Sequence, residues 1–466
     1  MTLEKIDNIQ KKFLFIFFIV ISILLYIVLL CGCKDTDMYF EIVSGKDILN
    51  GNFHTASHLN NYPIIVQQWL YTVCLAIFDQ FGYIGCISWV FIQDLILWLL
   101  ASIFIYKKTN NRKIALIGSF ISIIICEVYM VNIRPQIITM IFLILELLII
   151  EAYKEHNRQI RYLLILLPIL IISANFHQAV FLYHIFILAP YCIGKDEKWW
   201  IDWKLIDFIP LFIACSICTP YGLDGALYII RTFQSKVFQQ IAIQEITALN
   251  ITSIYGITLF TLLGIVIYAI YNHKSNKYIN FYMFSIFILS LINGRHICLL
   301  YIVLVYILCY LDITKYINQT LMIICIVFFI MMGIIHLRKI DDIENQYNDV
   351  ATIIEDKNAT IYNHMDVGGW LEYNDYTKVT FDTRPELFTK TFNKKKNLIH
   401  NYLLVSYGYD EKRKLVSDDT ILEKVEDYDY IIFPSYAYIN RIANKKFHLI
   451  YENNYCIWEN NNIGDK

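Results

Sequence analysis

From residue 13 to residue 335 the chain is a succession of apolar runs separated by short polar turns. Such a pattern admits few folds other than a bundle of membrane-crossing helices. The runs fall at 13–33, 83–106, 114–130, 137–153, 162–174, 179–193, 205–218, 254–271, 278–292, 297–311 and 317–335. They amount to about eleven spans, and the chain reads as a polytopic α-helical membrane protein. Composition agrees, since 57% of the 466 residues are hydrophobic and only 17% charged. A shorter, mixed run at 64–78, edged by Gln67, Gln68 and Asp79, is expected to lie as a helix in the membrane interface. No basic tract points to nucleic acid. The cysteines sit almost entirely in apolar runs, so no disulfide framework is expected.

Charge placement orients the bundle. Lys107, Lys108, Arg112 and Lys113 share one turn, and Lys154, Arg158 and Arg161 share another. Lys195, Lys198 and Lys204 share a third, and Lys274 and Lys277 a fourth. These alternate with turns poor in Lys and Arg, which places the N-terminus in the cytoplasm and the intervening turns outside. An odd number of spans leaves the remainder outside as well. The expected division is a transmembrane domain at 1–336 and a small extracytoplasmic α/β domain at 337–466, about the size of one domain. In that tail, strands are expected at 360–362, 378–381, 430–433, 447–451 and 455–458, the last two as a hairpin. Helices are expected at 337–356 and 418–426, and Gly368-Gly369 reads as a tight turn.

The chemistry concentrates at 34–70, read as the first outer loop, where Asp35, Asp37 and Glu41 lie close together beside Tyr39 and Phe40. Arg134-Pro135-Gln136 opens a span on the same side. Asn175-Phe176-His177, Thr219-Pro220-Tyr221-Gly222 and Asn293-Gly294-Arg295-His296 form further outer turns. Each has a plain account alone: Arg134 and Arg295 snorkel to head groups, Asn175 and His177 cap helices, and Pro220–Gly222 make a turn. Together they place carboxylates and arginines on one membrane face. Arginine matches phosphate oxygens bidentately, and a carboxylate beside it can take a proton from an alcohol. That combination suits attack by a hydroxyl on a carbon linked to a lipid phosphate. Asp94 and Glu146, inside spans, are costly in lipid and are expected to pair helices.

The order of these turns resembles that of bacterial membrane glycosyltransferases of the glycosyltransferase-C type, relatives of the polyprenyl-phosphate-sugar mannosyltransferases. Carrying the resemblance are Asp35-x-Asp37-x-Tyr39-Phe40, Gly45, Gly51-x-Phe53-x-Thr55, Trp69-Leu70, Arg134-Pro135-Gln136, Asn175-Phe176-His177 and Pro220-Tyr221-Gly222. In the tail, 366–371 and 379–387 look like the outer domain of the same subgroup. The resemblance implies transfer of a sugar from a polyprenyl-phosphate donor to a glycan, lipid or protein acceptor outside the cytoplasm of a bacterium. Asp37 matches the loop aspartate expected to activate the acceptor, with Asp35 as its understudy. Glu41, Arg134, Asn175, His177, Tyr221 and Arg295 are the expected substrate-binding residues, the two arginines holding the donor phosphate.

Two departures stand out. This chain has Gln67-Gln68 where the subgroup commonly shows His-Glu, and Glu41 where relatives often carry His. No cofactor is required by this reading, no metal ligand is assigned, and a divalent metal stays open. The competing readings are a transporter or flippase of lipid-linked sugars, a polysaccharide polymerase or ligase, and an inactive relative serving as a scaffold.

Overall fold

The computed structural model describes residues 36–130, 133–195, 199–228, 230–231, 248–311, 347–350, 352–389, 392, 398–410 and 413–461. The runs at 13–33 and 317–335, and Asp35, lie outside the described residues.

The described chain opens with α1 (Thr36–Leu49), a short antiparallel pair β1 (Thr55–Ala56) and β2 (Tyr62–Pro63), α2 (Trp69–Asp79) and α3 (Gly82–Thr109). A π-helical turn at Ile114–Gly118 leads into α4 (Ser119–Met130), then α5 (Gln136–Glu155) and α6 (Ile160–His177). Next come α7 (Leu182–Leu188), the hairpin β3 (Ile193–Lys195) and β4 (Trp199–Ile201), α8 (Trp203–Cys215) and α9 (Gly222–Ala226). The helices α10 (Ile254–Tyr271), α11 (Lys277–Ile292) and α12 (Leu300–Tyr310) complete the apolar part.

Among the described residues, three helical stretches are long and apolar enough to cross a membrane: Gly82–Thr109, Gln136–Glu155 and Ile160–Val180. The other apolar helices are shorter. The run at 179–193 is one example: a 3-10 turn at Gln178–Val180 and Pro190 within a second 3-10 turn cut it down. The surface of α3 shows what surrounds the bundle. Ile92, Ile96, Leu99 and Ile103 recur at helical spacing and are all exposed, while Gln93 and Asp94 are buried. A helix with its apolar face outward and its polar groups inward is built for lipid.

The segment at 34–70 is not all loop, as its polarity suggests: Thr36–Leu49 forms the 14-residue helix α1. Met38, Tyr39, Ile42, Val43 and Ile48 are buried, and Asp37 in the first turn favours the helix N-terminus. Gly45 lets α1 cross α2 closely, since a Cβ there would lie 2.1 Å from the Thr72 carbonyl oxygen. The run at 64–78 becomes helical only from Trp69, and α2 packs between α1 and α3.

Residues 347–461 form a second layer. It consists of β5 (Ile361–Asn363), α13 (Met365–Tyr373), α14 (Leu398–Tyr407), α15 (Asp418–Leu422), β6 (Tyr430–Pro434), β7 (Phe447–Glu452) and β8 (Tyr455–Asn460). The sheet runs β5-β6-β8-β7, with β5 parallel to β6 and the other pairs antiparallel. The expected β7–β8 hairpin is present. The run at 378–381 contributes only an isolated bridge between Ile361 and Val379. Gly368-Gly369 is no turn: it sits inside α13, where Gly368 lies against the Phe381 backbone.

Candidate active site

One face of α1 carries Asp37, Glu41 and Ser44, at helical spacings of four and three. Arg134, in the turn before α5, places Nη2 2.6 Å from Asp37 Oδ2, and both side chains are mostly enclosed. Glu41 accepts a hydrogen bond from the Gln68 amide, while its Oε2 is buried with no partner among the described residues. Burial pushes the Glu41 carboxyl up to about 8, with Asp37 adding to the rise, while Gln68, Arg384 and Arg134 oppose it. At neutral pH Glu41 is therefore mostly neutral and able to donate a hydrogen bond.

This has a consequence for stability. A raised carboxyl value favours the protonated fold, a contribution fully present below the ordinary value of 4.5 and lost as pH climbs through about 8. Glu41→Gln is expected to flatten the fall in melting temperature between about pH 5 and pH 8. Thermal unfolding in detergent across that range checks it, and an unchanged slope contradicts it.

Around this face several turns are tied to one another. Trp69 Nε1 donates to Asn175 Oδ1 at 2.7 Å, and Asn175 Nδ2 donates to the carbonyls of Ile171 and Cys218. His177 Nδ1 lies 2.8 Å from Thr139 Oγ1, one turn into α5, and Arg295 acts on this imidazole electrostatically. Tyr221 donates to the Phe53 carbonyl at 2.8 Å, and burial pushes its hydroxyl up to about 12. Asp37, Glu41 and Arg134 thus converge directly. Asn175, His177 and Tyr221 knit the frame around them, and Arg295 approaches through His177.

The C-terminal layer closes over α1, a contact not apparent in the sequence. His58 and Asn60 hydrogen-bond the backbone of Val379, at 3.2 and 2.9 Å. Tyr373 of α13 donates to Asp79 Oδ1 at 2.9 Å and its ring lies 5.3 Å from that of Tyr39. Lys46 Nζ reaches Asp79 Oδ2 at 2.9 Å. Arg384 donates to Ser44 Oγ at 3.2 Å and holds its guanidinium 4.5 Å over the Phe40 ring. Burial raises the Glu372 carboxyl well above the usual range, and Asp382 beside it reinforces this against Arg384.

The bundle interior holds a second cluster. Glu146 Oε2 lies 2.7 Å from His184 Nδ1, and His184 Nε2 lies 2.8 Å from Ser173 Oγ, all three buried. The acid–imidazole–hydroxyl order is that of a nucleophilic relay, but here it is enclosed by α5, α6 and α7 and joins them. The helix-pairing role expected for Glu146 is what the geometry provides. His184→Ala leaves Glu146 buried without this partner and is expected to destabilise the protein by about 1–3 kcal/mol. A melting temperature equal to that of the wild type contradicts this.

At the opposite end of the helices from Asp37, the basic turns gather. Glu151 binds Lys108 at 2.5 Å and Lys154 at 3.5 Å, and Arg158 stacks on Trp200 at 3.8 Å. The basic turns read from the sequence at 107–113 and 154–161 thus lie at one end of the bundle, away from Asp37 and Arg134. Among the described residues, no group of three or more His, Cys, Asp or Glu side chains is arranged to hold a metal ion. Cys215 and Cys218 are both free thiols.

No family model and no curated protein matches the chain. Among solved structures it is similar to ArnT from Cupriavidus metallidurans bound to undecaprenyl phosphate, with a TM-score of 0.58 and 7% identity over 95% of this chain and 97% of that one. It is also similar to the Archaeoglobus fulgidus oligosaccharyltransferase tethered with an acceptor peptide containing the NVT sequon. That match has a TM-score of 0.50 and 11% identity, over 90% of this chain and 68% of the other. Both are membrane glycosyltransferases of the glycosyltransferase-C fold. At these identities the likeness is one of fold, and the chain has that fold, as the order of its turns implied.

Proposed function

We propose that the chain transfers a sugar from a polyprenyl-phosphate-linked donor to an acceptor hydroxyl at the outer face of a bacterial cytoplasmic membrane. The observation that carries this reading is the Asp37–Arg134 pair at the end of the bundle away from the basic turns. The acceptor oxygen attacks the anomeric carbon, and the bond from that carbon to the phosphate oxygen breaks. The proton of the acceptor hydroxyl passes to the Asp37 carboxylate as general base, and the polyprenyl phosphate leaves with the bonding electron pair. Arg134, with Arg295 behind His177, stabilises the charge of the departing phosphate. Glu41, neutral near pH 7, donates a hydrogen bond to substrate. The layer at 347–461 is extracytoplasmic in this reading and roofs the site.

The test is transfer by the purified full chain in proteoliposomes, supplied with polyprenyl-phosphate sugars carrying radiolabelled sugar and a panel of glycan, lipid and peptide acceptors. Label moving from the lipid donor to an acceptor supports the reading. Label that stays on the lipid with every donor but crosses the bilayer replaces it with transport.

A further inference from the structure

We propose that Arg384 is a positioning residue of the transfer site, through which the C-terminal layer sets the charge and placement of the α1 face. The inference rests on the transfer reading above and adds a part of the chain remote in sequence. Ser44 and Arg384 are 340 residues apart, yet they are joined by a hydrogen bond. Arg384 is held so that it cannot simply swing away. Its backbone NH donates to Asp382 Oδ1 at 2.8 Å and its Nε to Asp382 Oδ2 at 2.7 Å, with Nη2 bound to the same oxygen. Asp382 is itself fully buried, and Glu372 Oε2 lies 3.8 Å from the same Nη2 of Arg384. The planar fork is thereby fixed by its own layer, and the remaining edge and face turn to α1 through Ser44 and Phe40.

Electrostatics gives this contact a use. Asp37 and Glu41 on α1, with Glu372 and Asp382 opposite, crowd carboxyl groups into one enclosed region. Arg134 meets Asp37 from the α5 side and Arg384 meets the α1 face from the C-terminal side. Tyr221 in the adjoining turn also feels the Arg384 charge. Loss of Arg384 removes one of the two cations that oppose the rise at Glu41, so Glu41 would hold its proton to higher pH. Lysine keeps the charge without the fork, and Ser44→Ala removes one contact while leaving the clamp within the C-terminal layer.

The experiment follows the Glu41 carboxyl by infrared titration of the full chain, its band assigned by loss in Glu41→Gln, alongside the pH profile of transfer. Arg384→Gln is expected to move the Glu41 midpoint upward by about one pH unit, with the transfer profile moving the same way. Arg384→Lys is expected to restore most of it, and Ser44→Ala to move it slightly upward. A folded Arg384→Gln protein whose midpoint stays in place overturns the proposal, as does an Arg384→Lys protein that behaves like the glutamine variant. If Arg384→Gln fails to fold, Ser44→Ala carries the test: a midpoint that moves upward supports the proposal, and one that stays in place or falls overturns it. The infrared arm needs no turnover, so a chain that transfers no sugar fails the functional reading without hiding the outcome at Arg384.

Discussion

Asp37→Asn is expected to lower sugar transfer by roughly 10²–10⁴-fold with the protein inserted at its normal level. Asparagine keeps the shape of the side chain and can still accept a hydrogen bond from Arg134 through its carbonyl oxygen. It cannot take up the acceptor proton, so the chemical step loses its base while the frame survives. The frame itself stands on other contacts: Trp69 to Asn175, Thr139 to His177 and Tyr221 to Phe53. Initial rates normalised to the membrane level of each variant check this. Undiminished transfer removes Asp37 as the base. Should Arg134→Ala then abolish transfer, the polymerase or ligase reading, in which arginines carry the activity, takes its place.

Gly368→Val is expected to have the largest effect on stability. A Cβ at this position would lie 1.7 Å from the Phe381 carbonyl oxygen and 2.9 Å from the Asp382 Cα, both backbone atoms. No side-chain rotation relieves that overlap, so either α13 moves or the 381–384 segment does. Overpacking of this kind costs about 1–3 kcal/mol in ordinary cores, and an approach this close belongs at the upper end or beyond. The displaced segment carries Asp382 and Arg384, so the clamp on α1 is lost with it. Gly264→Ala, at an exposed position of α10 with nothing near its Cβ, is the matched control and should be neutral or slightly stabilising. Limited proteolysis of the two variants compares them directly. Equal resistance in Gly368→Val and the wild type contradicts the account.

What the sequence shows and what it hides follow from the range of the interactions. Apolar runs and alternating basic turns are local, so the bundle and the separation of its two ends can be read directly. Asp37 and Arg134 can be placed on one face by the same logic, although their contact cannot. The helix α1 is missed because Glu41, Ser44, Lys46 and Asp47 make it look like a solvated loop. Its helicity is supported by packing on α2 and α13, which composition does not display. Gly368-Gly369 misleads for a related reason: two glycines are poor helix formers, but a close backbone contact with Phe381 requires the absence of a Cβ. Arg384 is legible only as a neighbour of Asp382, because its partner Ser44 lies at the other end of the chain. His184 gives no signal at all, being a single imidazole in an apolar run.

The most direct measurement is photo-crosslinking of the full chain with a diazirine-bearing polyprenyl phosphate, followed by peptide mapping. It asks where the lipid phosphate sits without requiring the sugar to be known. Adducts in α1, in the Arg134 turn and around His177, competed away by unlabelled polyprenyl phosphate, are the predicted result. Adducts confined to the Lys108 and Lys154 end, or spread over the lipid-facing surface and insensitive to competition, would contradict a donor site built on Asp37 and Arg134.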